Sequence, residues 1–331
     1  MLMGADSIDI VIVNYNSTDY VLECLASIYG VLGGMQAQVF VEDNGSGDSV
    51  ERVLARFPEV RLSRNRSNMG FAMAVNKGLK HGTAPYIIVL NPDSRVGAGF
   101  VEGVLGYMDD NPGVGILGPK ILNADGSTQG SARSFPHPLT ALFGRASLLS
   151  KWFPNNSMTR RNVRTSESNG IIPMEVDWVS GACMVVRRQA VSEVGPLDER
   201  FFLYWEDADW CRRMWQAGWK VVYFPQASVV HHVGGSSGSA RSRSLVEFHR
   251  SAYRLFAKYA KGPERLLKPL ALWVLALRLL ILFSWNGLRD VIETNLASEG
   301  GGNGPPGRAG HPTGAGEGRQ RAGRGGVREH L

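Results

Sequence analysis

Three carboxylates fall within four positions in the run Phe201-Phe202-Leu203-Tyr204-Trp205-Glu206-Asp207-Ala208-Asp209-Trp210, flanked by five aromatic residues. Apolar surroundings raise a carboxylate pKa toward the range of a working general base. Acids in a first helical turn also complement the helix dipole, which accounts for one acid well but not for three amid aromatics. Asp93 ends the turn Asn91-Pro92-Asp93 after an apolar run. A carboxylate there can hold Mg²⁺ or Mn²⁺ against a diphosphate, or can cap the next helix. Asp43 opens the cluster Asp43-Asn44-Gly45-Ser46-Gly47-Asp48. It can accept the imide N–H of a uracil or thymine ring, or serve an ordinary Asx turn. The pair His231-His232 precedes Gly234-Gly235. A neutral imidazole suits a divalent ion, although a lone histidine is more often structural.

These residues need a scaffold that brings distant stretches together. Residues 8–13, 38–41, 60–62 and 86–90 are short, apolar and rich in β-branched side chains, so they read as buried strands. Helical spacing runs through 20–29, 49–57, 70–81 and 100–109. This alternation predicts an α/β domain with a mostly parallel twisted sheet and helices on both faces. A further strand is expected at 114–117, a strand pair over 176–186, a helix at 207–217, and strands at 221–223 and 228–230. Residues 123–175, rich in Gly, Ser, Asn, Pro and Arg, read as a long functional loop. In open sheets ligands bind beyond the carboxyl ends of strands, where Asp43, Asp93 and His231-His232 fall. The first strand is followed by Asn14-Tyr15-Asn16 without the glycines of a dinucleotide site. No P-loop pattern occurs, which argues against a P-loop nucleotidase as the missing glycines argue against a dinucleotide enzyme.

Composition narrows the partners. The 331 residues carry a net charge of +6 and are 44% hydrophobic, which rules out a mainly disordered, collagen-like or disulfide-scaffold chain. Cys24, Cys183 and Cys211 have no CxxC spacing and read as reduced thiols of a cytosolic protein. No secretory signal is visible, so a cytoplasmic location is expected. Residues 1–240 hold 21 Lys/Arg against 23 Asp/Glu, whereas 241–331 hold 15 against 7. The basic excess lies beside an apolar stretch, which fits an anionic membrane surface better than nucleic acid. Residues 244–259 form an amphipathic helical pattern, and 266–285 are strongly apolar around Lys268, Pro269 and Arg278. An arginine near the middle disfavours a full span, so interfacial attachment is expected over a span or a docked helix. The Gly/Arg-rich stretch 298–331 reads as a disordered tail. The expected organisation is a catalytic domain over 1–240, basic and apolar helices over 241–297, and that tail.

Taken as an ordered set, eight stretches resemble family 2 glycosyltransferases of the GT-A fold, closest to the bacterial rhamnosyltransferase-like branch. They are VIVNYN (11–16), VEDNGSGD (41–48), NMGFAMAVNKG (68–78), VLNPD (89–93), GPKILNADGSTQGSARSFP (118–136), DWVSGACMVVRR (177–188), FFLYWEDADWCRR (201–213) and HHVGGSS (231–237). The resemblance implies that Asn14, Asn16 and Asp43 hold the base and ribose of a nucleotide sugar, with Asn68 and Gly70 lining the same pocket. Asp93 matches the last acid of a DxD-type metal motif whose first acid is here Asn91. The family pattern H-x-x-G-x-S falls on His232, with His231 as the neighbouring alternative metal ligand. Asp207 matches the general base, with Glu206 and Asp209 positioning it or binding acceptor hydroxyls. Trp178, Gly181 and Ala182 would shape the acceptor floor. The implied activity is inverting, metal-dependent transfer of a sugar, most plausibly L-rhamnose from dTDP-L-rhamnose, to a lipid-linked saccharide at the inner membrane face during cell-surface polysaccharide assembly. Galactofuranose or N-acetylhexosamine donors are alternatives. So are a non-catalytic nucleotide-sugar-binding scaffold and a membrane interaction protein working through 244–286 alone. The expectation that decides among these is convergence of Asp93, Asp207 and a histidine on one cleft.

Overall fold

In the computed structural model, residues 7–135, 163–232 and 241–300 are described. Strand β1 (Ser7–Asn14) carries Ile8, Ile10 and Ile12 on one face and Val11 and Val13 on the other. Because side chains alternate along a strand, both faces are apolar and both are covered. Helices α1 (Thr18–Val31) and α4 (Phe100–Asp110) cover the isoleucine face with Val21, Leu25, Ile28, Val101, Val104 and Met108. Helix α3 (Phe71–Leu79) covers the other face with Ala72, Ala74 and Val75. That helix lies very close to the sheet: a Cβ on Gly78 would meet Val11 Cγ1 at 2.5 Å. Helix α2 (Arg52–Arg56) is shorter than the sequence pattern suggests.

Strands β2 (Gln36–Asp43), β3 (Arg61–Arg64) and β4 (Tyr86–Leu90) pair parallel with β1 or with one another, in the order β3-β2-β1-β4. Beyond β4 the sheet is mixed. Taken in chain order, β5 (Ser94–Val96) is a short strand directly after Asp93 that the sequence pattern does not announce. β6 (Val114–Leu122) follows α4, and β7 (Ala132–Arg133), β8 (Met174–Glu175) and β9 (Trp178–Val179) are two-residue strands. β10 (Cys183–Arg187) inserts antiparallel between β4 and β6. β11 (Lys220–His231) joins the two strands expected at 221–223 and 228–230 into one, with a register shift between Phe224 and Ser228. It runs parallel to β6 and antiparallel to β5 and β8. The long loop thus contributes β7, β8 and a 3₁₀ turn at Arg164–Glu167, while 136–162 lie outside the described residues.

Helix α5 (Arg188–Val194) follows β10, and helix α6 (Glu206–Gln216) packs Ala208, Trp210, Cys211 and Met214 under the sheet. Helix α7 (Arg241–Tyr259) begins slightly before its expected start and is knitted to the sheet domain. Its Ser251 hydroxyl donates to Leu203 O at 3.0 Å, and its Arg254 donates to Arg200 O at 2.6 Å. After a 3₁₀ turn (Gly262–Leu267), helix α8 runs Lys268–Gly300. The stretch Gly262–Ser284 is long and apolar enough to cross a membrane by length and composition. Leu266, Leu270, Trp273 and Leu280 are exposed on it. The chain divides into two units, Met1–Ile281 and Leu282–Leu331. Of the expected tail, 298–300 belong to α8, and 301–331 lie outside the described residues. All three cysteines are buried and unpaired.

One buried ion pair ties the sheet's leading strand to the β10–α5 junction. Asp9 Oδ2 accepts the Ala84 N–H at 2.9 Å and Arg188 Nη2 at 2.6 Å, and the same guanidinium donates to Ala84 O. Removing one member of a buried pair leaves the other charge uncompensated. Asp9→Ala is therefore expected to cost about 3 kcal/mol, the lower end of the range because Arg188 keeps some solvent contact. Urea unfolding followed by far-UV dichroism measures it.

Candidate active site

The carboxyl ends of β1 and β2 lie in register, with Asn14 beside Asp43. Both are fully buried. The Asn14 amide is wholly occupied: Nδ2 donates to Asp43 Oδ1 (2.9 Å) and Ser46 Oγ (3.1 Å), and Oδ1 accepts from Ser17 N and Ser17 Oγ. Asn14 therefore does not face a nucleotide directly, contrary to expectation; it holds Asp43. Ser46 caps the same carboxylate through its hydroxyl (2.5 Å) and its backbone N–H (3.2 Å), so the Asx turn is real. Arg64, about half exposed, lies 3.5 Å from Asp43 Oδ2. Asn16 sits exposed in the left-handed region (φ 52) and accepts the Gly47 N–H at 2.7 Å, latching the two loops together.

Asn44 is the hub that sequence reasoning missed. Its Nδ2 donates to Gly70 O (3.0 Å) and Asn68 Oδ1 (3.3 Å), and its Oδ1 accepts from Asn65 (3.2 Å). Asn68 in turn accepts the Gly70 N–H at 2.9 Å. Gly70 has φ +91 and touches the segment before α6: a Cβ there would lie 2.6 Å from Phe202 O. The Phe71 N–H donates to that same carbonyl at 2.7 Å. The nucleotide-side loops and the carboxylate-bearing segment are thereby joined by backbone.

Asp93 is buried at the mouth of β5. Pairing of β5 with β11 sets His231 opposite Ser94, and His231 Nε2 lies 3.2 Å from Asp93 Oδ1. Gln129 fixes the ring. Its Nε2 donates to His231 O at 2.8 Å, which leaves Oε1 to accept from His231 Nδ1 at 3.2 Å. The Nε2 lone pair of the neutral ring then faces Asp93 and Asn91. His232 lies just past the end of β11, and its Nε2 is buried without a hydrogen-bond partner among the described residues. Its backbone N–H donates to Asp93 O at 2.9 Å, while its ring lies 6.2 Å from Tyr20. So the histidine set on Asp93 is His231 rather than His232, the position the family pattern selects. Among the described residues no group of three or more His, Cys, Asp or Glu could hold a metal. One carboxylate and one oriented imidazole still fit Mg²⁺ or Mn²⁺, which keep several positions for phosphate oxygens and water. Gln129 is the kind of outer hydrogen-bond partner that orients a ligating histidine.

The turn Ser180-Gly181-Ala182 connects this corner to α6. Ala182 O accepts from Asn91 N at 3.0 Å and Ser94 Oγ at 3.3 Å. One residue earlier, Gly181 N donates to Asp207 Oδ2 at 2.9 Å. Asp207 and the Asn91–Ser94 turn that carries Asp93, more than a hundred positions apart in sequence, thus bond to opposite ends of one dipeptide. Tyr204 and Trp205, the two residues before α6, both have positive φ (67 and 70), a costly conformation for bulky side chains that concentrates at functional sites. Burial pushes the Glu206 carboxyl well above the usual range, and the neighbouring Asp207 charge pushes it further. Burial also raises Asp207, but the Gly181 and Ala208 N–H groups and the Arg133 charge oppose the rise. Both carboxyls are raised, and the opposing N–H bonds and Arg133 charge act on Asp207, favouring its ionised form over that of Glu206.

Asp209 belongs to another network. It is fully buried, and Arg213 Nε (2.9 Å), Lys258 Nζ (2.6 Å) and Tyr259 OH (2.7 Å) occupy its oxygens. It ties α6 to α7 and is not available to acceptor hydroxyls as expected. Trp178 lies 5.9 Å from Trp205, donates its indole N–H to Ser134 O, and is covered by Arg133 at 5.3 Å. Gln129 and Arg133 sit in the aperiodic loop, where no spacing marks them.

Comparison with known proteins identifies the family. The sequence model of the family described as glycosyl transferase family 2 matches residues 9–195. A Mycobacterium tuberculosis protein named N-acetylglucosaminyl-diphospho-decaprenol L-rhamnosyltransferase is 34% identical over 271 residues, covering 78% of this chain and 86% of that protein. The Shigella flexneri dTDP-rhamnosyl transferase RfbF is 26% identical over 69% of each chain. The mannosyltransferase PcManGT from Pyrobaculum calidifontis, solved with GDP-Man and Mn²⁺, superposes with a TM-score of 0.52 at 16% identity, over 88% of this chain and 79% of that one. That likeness shows the GT-A fold.

The joint at Gly70 yields a test. Alanine there must adopt φ +91 and push a backbone carbonyl, so Gly70→Ala is expected to cost about 1–3 kcal/mol and to displace the segment before Glu206. Chemical denaturation measures the first effect, and a drop in donor affinity by calorimetry the second.

Proposed function

The chain belongs to glycosyltransferase family 2, and from that premise we propose that it transfers L-rhamnose from dTDP-L-rhamnose to a lipid-linked saccharide, with inversion, at the cytoplasmic face of the membrane. The observation that supports this reading is the Gly181-Ala182 backbone, which bonds to Asp207 at one end and to the turn carrying Asp93 at the other. The named activity of the mycobacterial relative supports a polyprenyl-diphosphate-N-acetylglucosamine acceptor. The exposed apolar stretch of α8, with Lys261, Arg265 and Lys268 at its start, supports attachment to an anionic membrane surface.

Chemically, the acceptor hydroxyl attacks the anomeric carbon as the bond from that carbon to the diphosphate oxygen breaks. Asp207 takes the hydroxyl proton, and the diphosphate leaves with the bonding electrons. Asp207 must be ionised to do so, and its two backbone N–H bonds favour the ionised form against the burial that raises its pKa. Glu206, protonated, offers a hydrogen bond to the acceptor beside it. Asp43, held by Asn14 and Ser46, is the acceptor for the thymine imide N–H once Arg64 moves aside. Asp93 and His231 would hold a divalent ion, Mg²⁺ or Mn²⁺, which would supply charge neutralisation at the departing diphosphate.

Two outcomes test this reading with dTDP-L-rhamnose and the polyprenyl acceptor. Asp207→Asn is expected to lower kcat by about 10²–10⁴-fold, while Glu206→Gln, an isostere of the protonated acid, stays within about tenfold. The raised Asp207 pKa places the acid limb of kcat above that of an ordinary carboxylate. Arg133→Gln removes a charge favouring ionisation, so the limb moves to still higher pH. A limb that stays put in Arg133→Gln contradicts the assignment. Separately, Asp93→Asn and His231→Gln should each weaken Mn²⁺-dependent dTDP binding by about tenfold or more, and His232→Gln by less. Titration calorimetry with and without Mn²⁺ reads both; a larger loss in His232→Gln reverses the choice of histidine.

A further inference from the structure

Native proteins rarely leave buried polar atoms unpaired, and those that remain call for an explanation. Around the start of α6, Trp205 Nε1, Glu206 Oε2 and Arg278 Nη2 are buried with no hydrogen-bond partner among the described residues. One ring connects them. The Phe248 ring of α7 lies 5.4 Å from the Trp205 ring, and the Arg278 guanidinium lies 5.9 Å from the centroid of the same Phe248 ring. Trp205 directly precedes Glu206 and Asp207.

Arg278 is the unusual member. It sits inside the apolar stretch Gly262–Ser284, among exposed Trp273, Leu277, Leu280 and Ile281. A charge in such a stretch is costly unless a counter-charge meets it, and ionisable residues there mark ligand sites. No acid occurs on α8 through Ser284. The single acid of α7, Glu247, is paired with Arg250 at 3.0 Å. A guanidinium, an indole N–H and an aromatic ring thus lie together where an apolar surface meets the carboxylate-bearing segment, and among the described residues no acid is paired with Arg278.

Resting on the proposed transfer to a lipid-linked saccharide, we propose that Arg278, aided by the Trp205 indole N–H, binds the diphosphate of the acceptor lipid. A planar guanidinium fork matches phosphate oxygens, and a desolvated edge strengthens the pairing. The lipid tail then lies along the exposed apolar face of α8, past Leu270, Trp273 and Leu277. The sugar, attached at the other end of the diphosphate, reaches across Phe248 toward Asp207. A membrane phospholipid headgroup carries the same phosphate chemistry. The placement next to the base favours the acceptor, because a headgroup has no reason to reach the segment before α6.

The test uses the full chain in detergent, with farnesyl diphosphate as the probe and farnesol as its phosphate-free counterpart. Wild type is expected to bind the diphosphate more tightly than the alcohol. Arg278→Gln should weaken farnesyl diphosphate binding by about 10- to 100-fold without changing farnesol binding. Arg278→Lys should fall between. Two controls accompany it. Mn²⁺-dependent dTDP binding should be unchanged in both variants, showing an intact fold. Flotation on phosphatidylcholine vesicles with and without phosphatidylglycerol should also be unchanged. Equal diphosphate affinity in wild type and Arg278→Gln overturns the proposal, as does equal loss for probe and alcohol. Loss of phosphatidylglycerol-dependent flotation in parallel assigns Arg278 to headgroups and overturns it too. Absence of rhamnosyl transfer, with the diphosphate pattern intact, refutes the proposed donor and acceptor reaction but not this site.

Discussion

The site depends on the backbone of a single turn. Gly181 donates to Asp207, and Ala182 accepts from the Asn91–Ser94 corner that carries Asp93. Backbone groups must be paired when buried, so this turn cannot drift without leaving donors and acceptors unsatisfied on both sides. The antiparallel insertion of β10 between β4 and β6 is what delivers the turn to that place. A wholly parallel sheet would send the chain out from the opposite end of the strand. The catalytic geometry therefore rests on one reversal of strand direction.

Burial does a second job in the same region. Two adjacent carboxyl groups at the head of α6 share a water-poor environment, and Asp207 also receives the Gly181 and Ala208 N–H groups and a nearby guanidinium. The same desolvation therefore raises both, while these partners favour ionisation of Asp207. Adjacent acids acquire different chemistry from their hydrogen-bond partners rather than from their side-chain types. The strained Tyr204 and Trp205 backbone, pinned by the Phe71–Phe202 bond and by Ser251 of α7, sets the angle at which α6 begins.

The helices after β11 are part of this arrangement rather than an appendage to it. Lys258 and Tyr259 of α7 close over Asp209, and Phe248 packs on both Tyr204 and Trp205. Asp209 thereby serves the attachment of α7. The apolar stretch that follows places a lipid-compatible surface within reach of the same aromatic cluster.

Much of this was legible in the residues. Apolar runs bounded by turn clusters located β1, β2, β4 and β6, because strands covered on both faces need little besides β-branched side chains. The order of eight short stretches identified the family, and the acids at 93 and 207 stood out by type and position. Partner choice was not legible. Asn14 and Asp43 look equally suited to a nucleotide, and only their register shows that the amide is consumed in holding the carboxylate. His231 and His232 are indistinguishable as letters, and the β5–β11 pairing sets the His231 ring against Asp93. Asn44, Gln129 and Arg133 carry no spacing signal, since their partners lie tens to a hundred positions away. Local sequence determined which elements form and which side chains are chemically competent, because propensity and alternation act over a few residues. Tertiary structure alone decided which of those side chains meet, because hydrogen bonds and desolvation are set by neighbours in space.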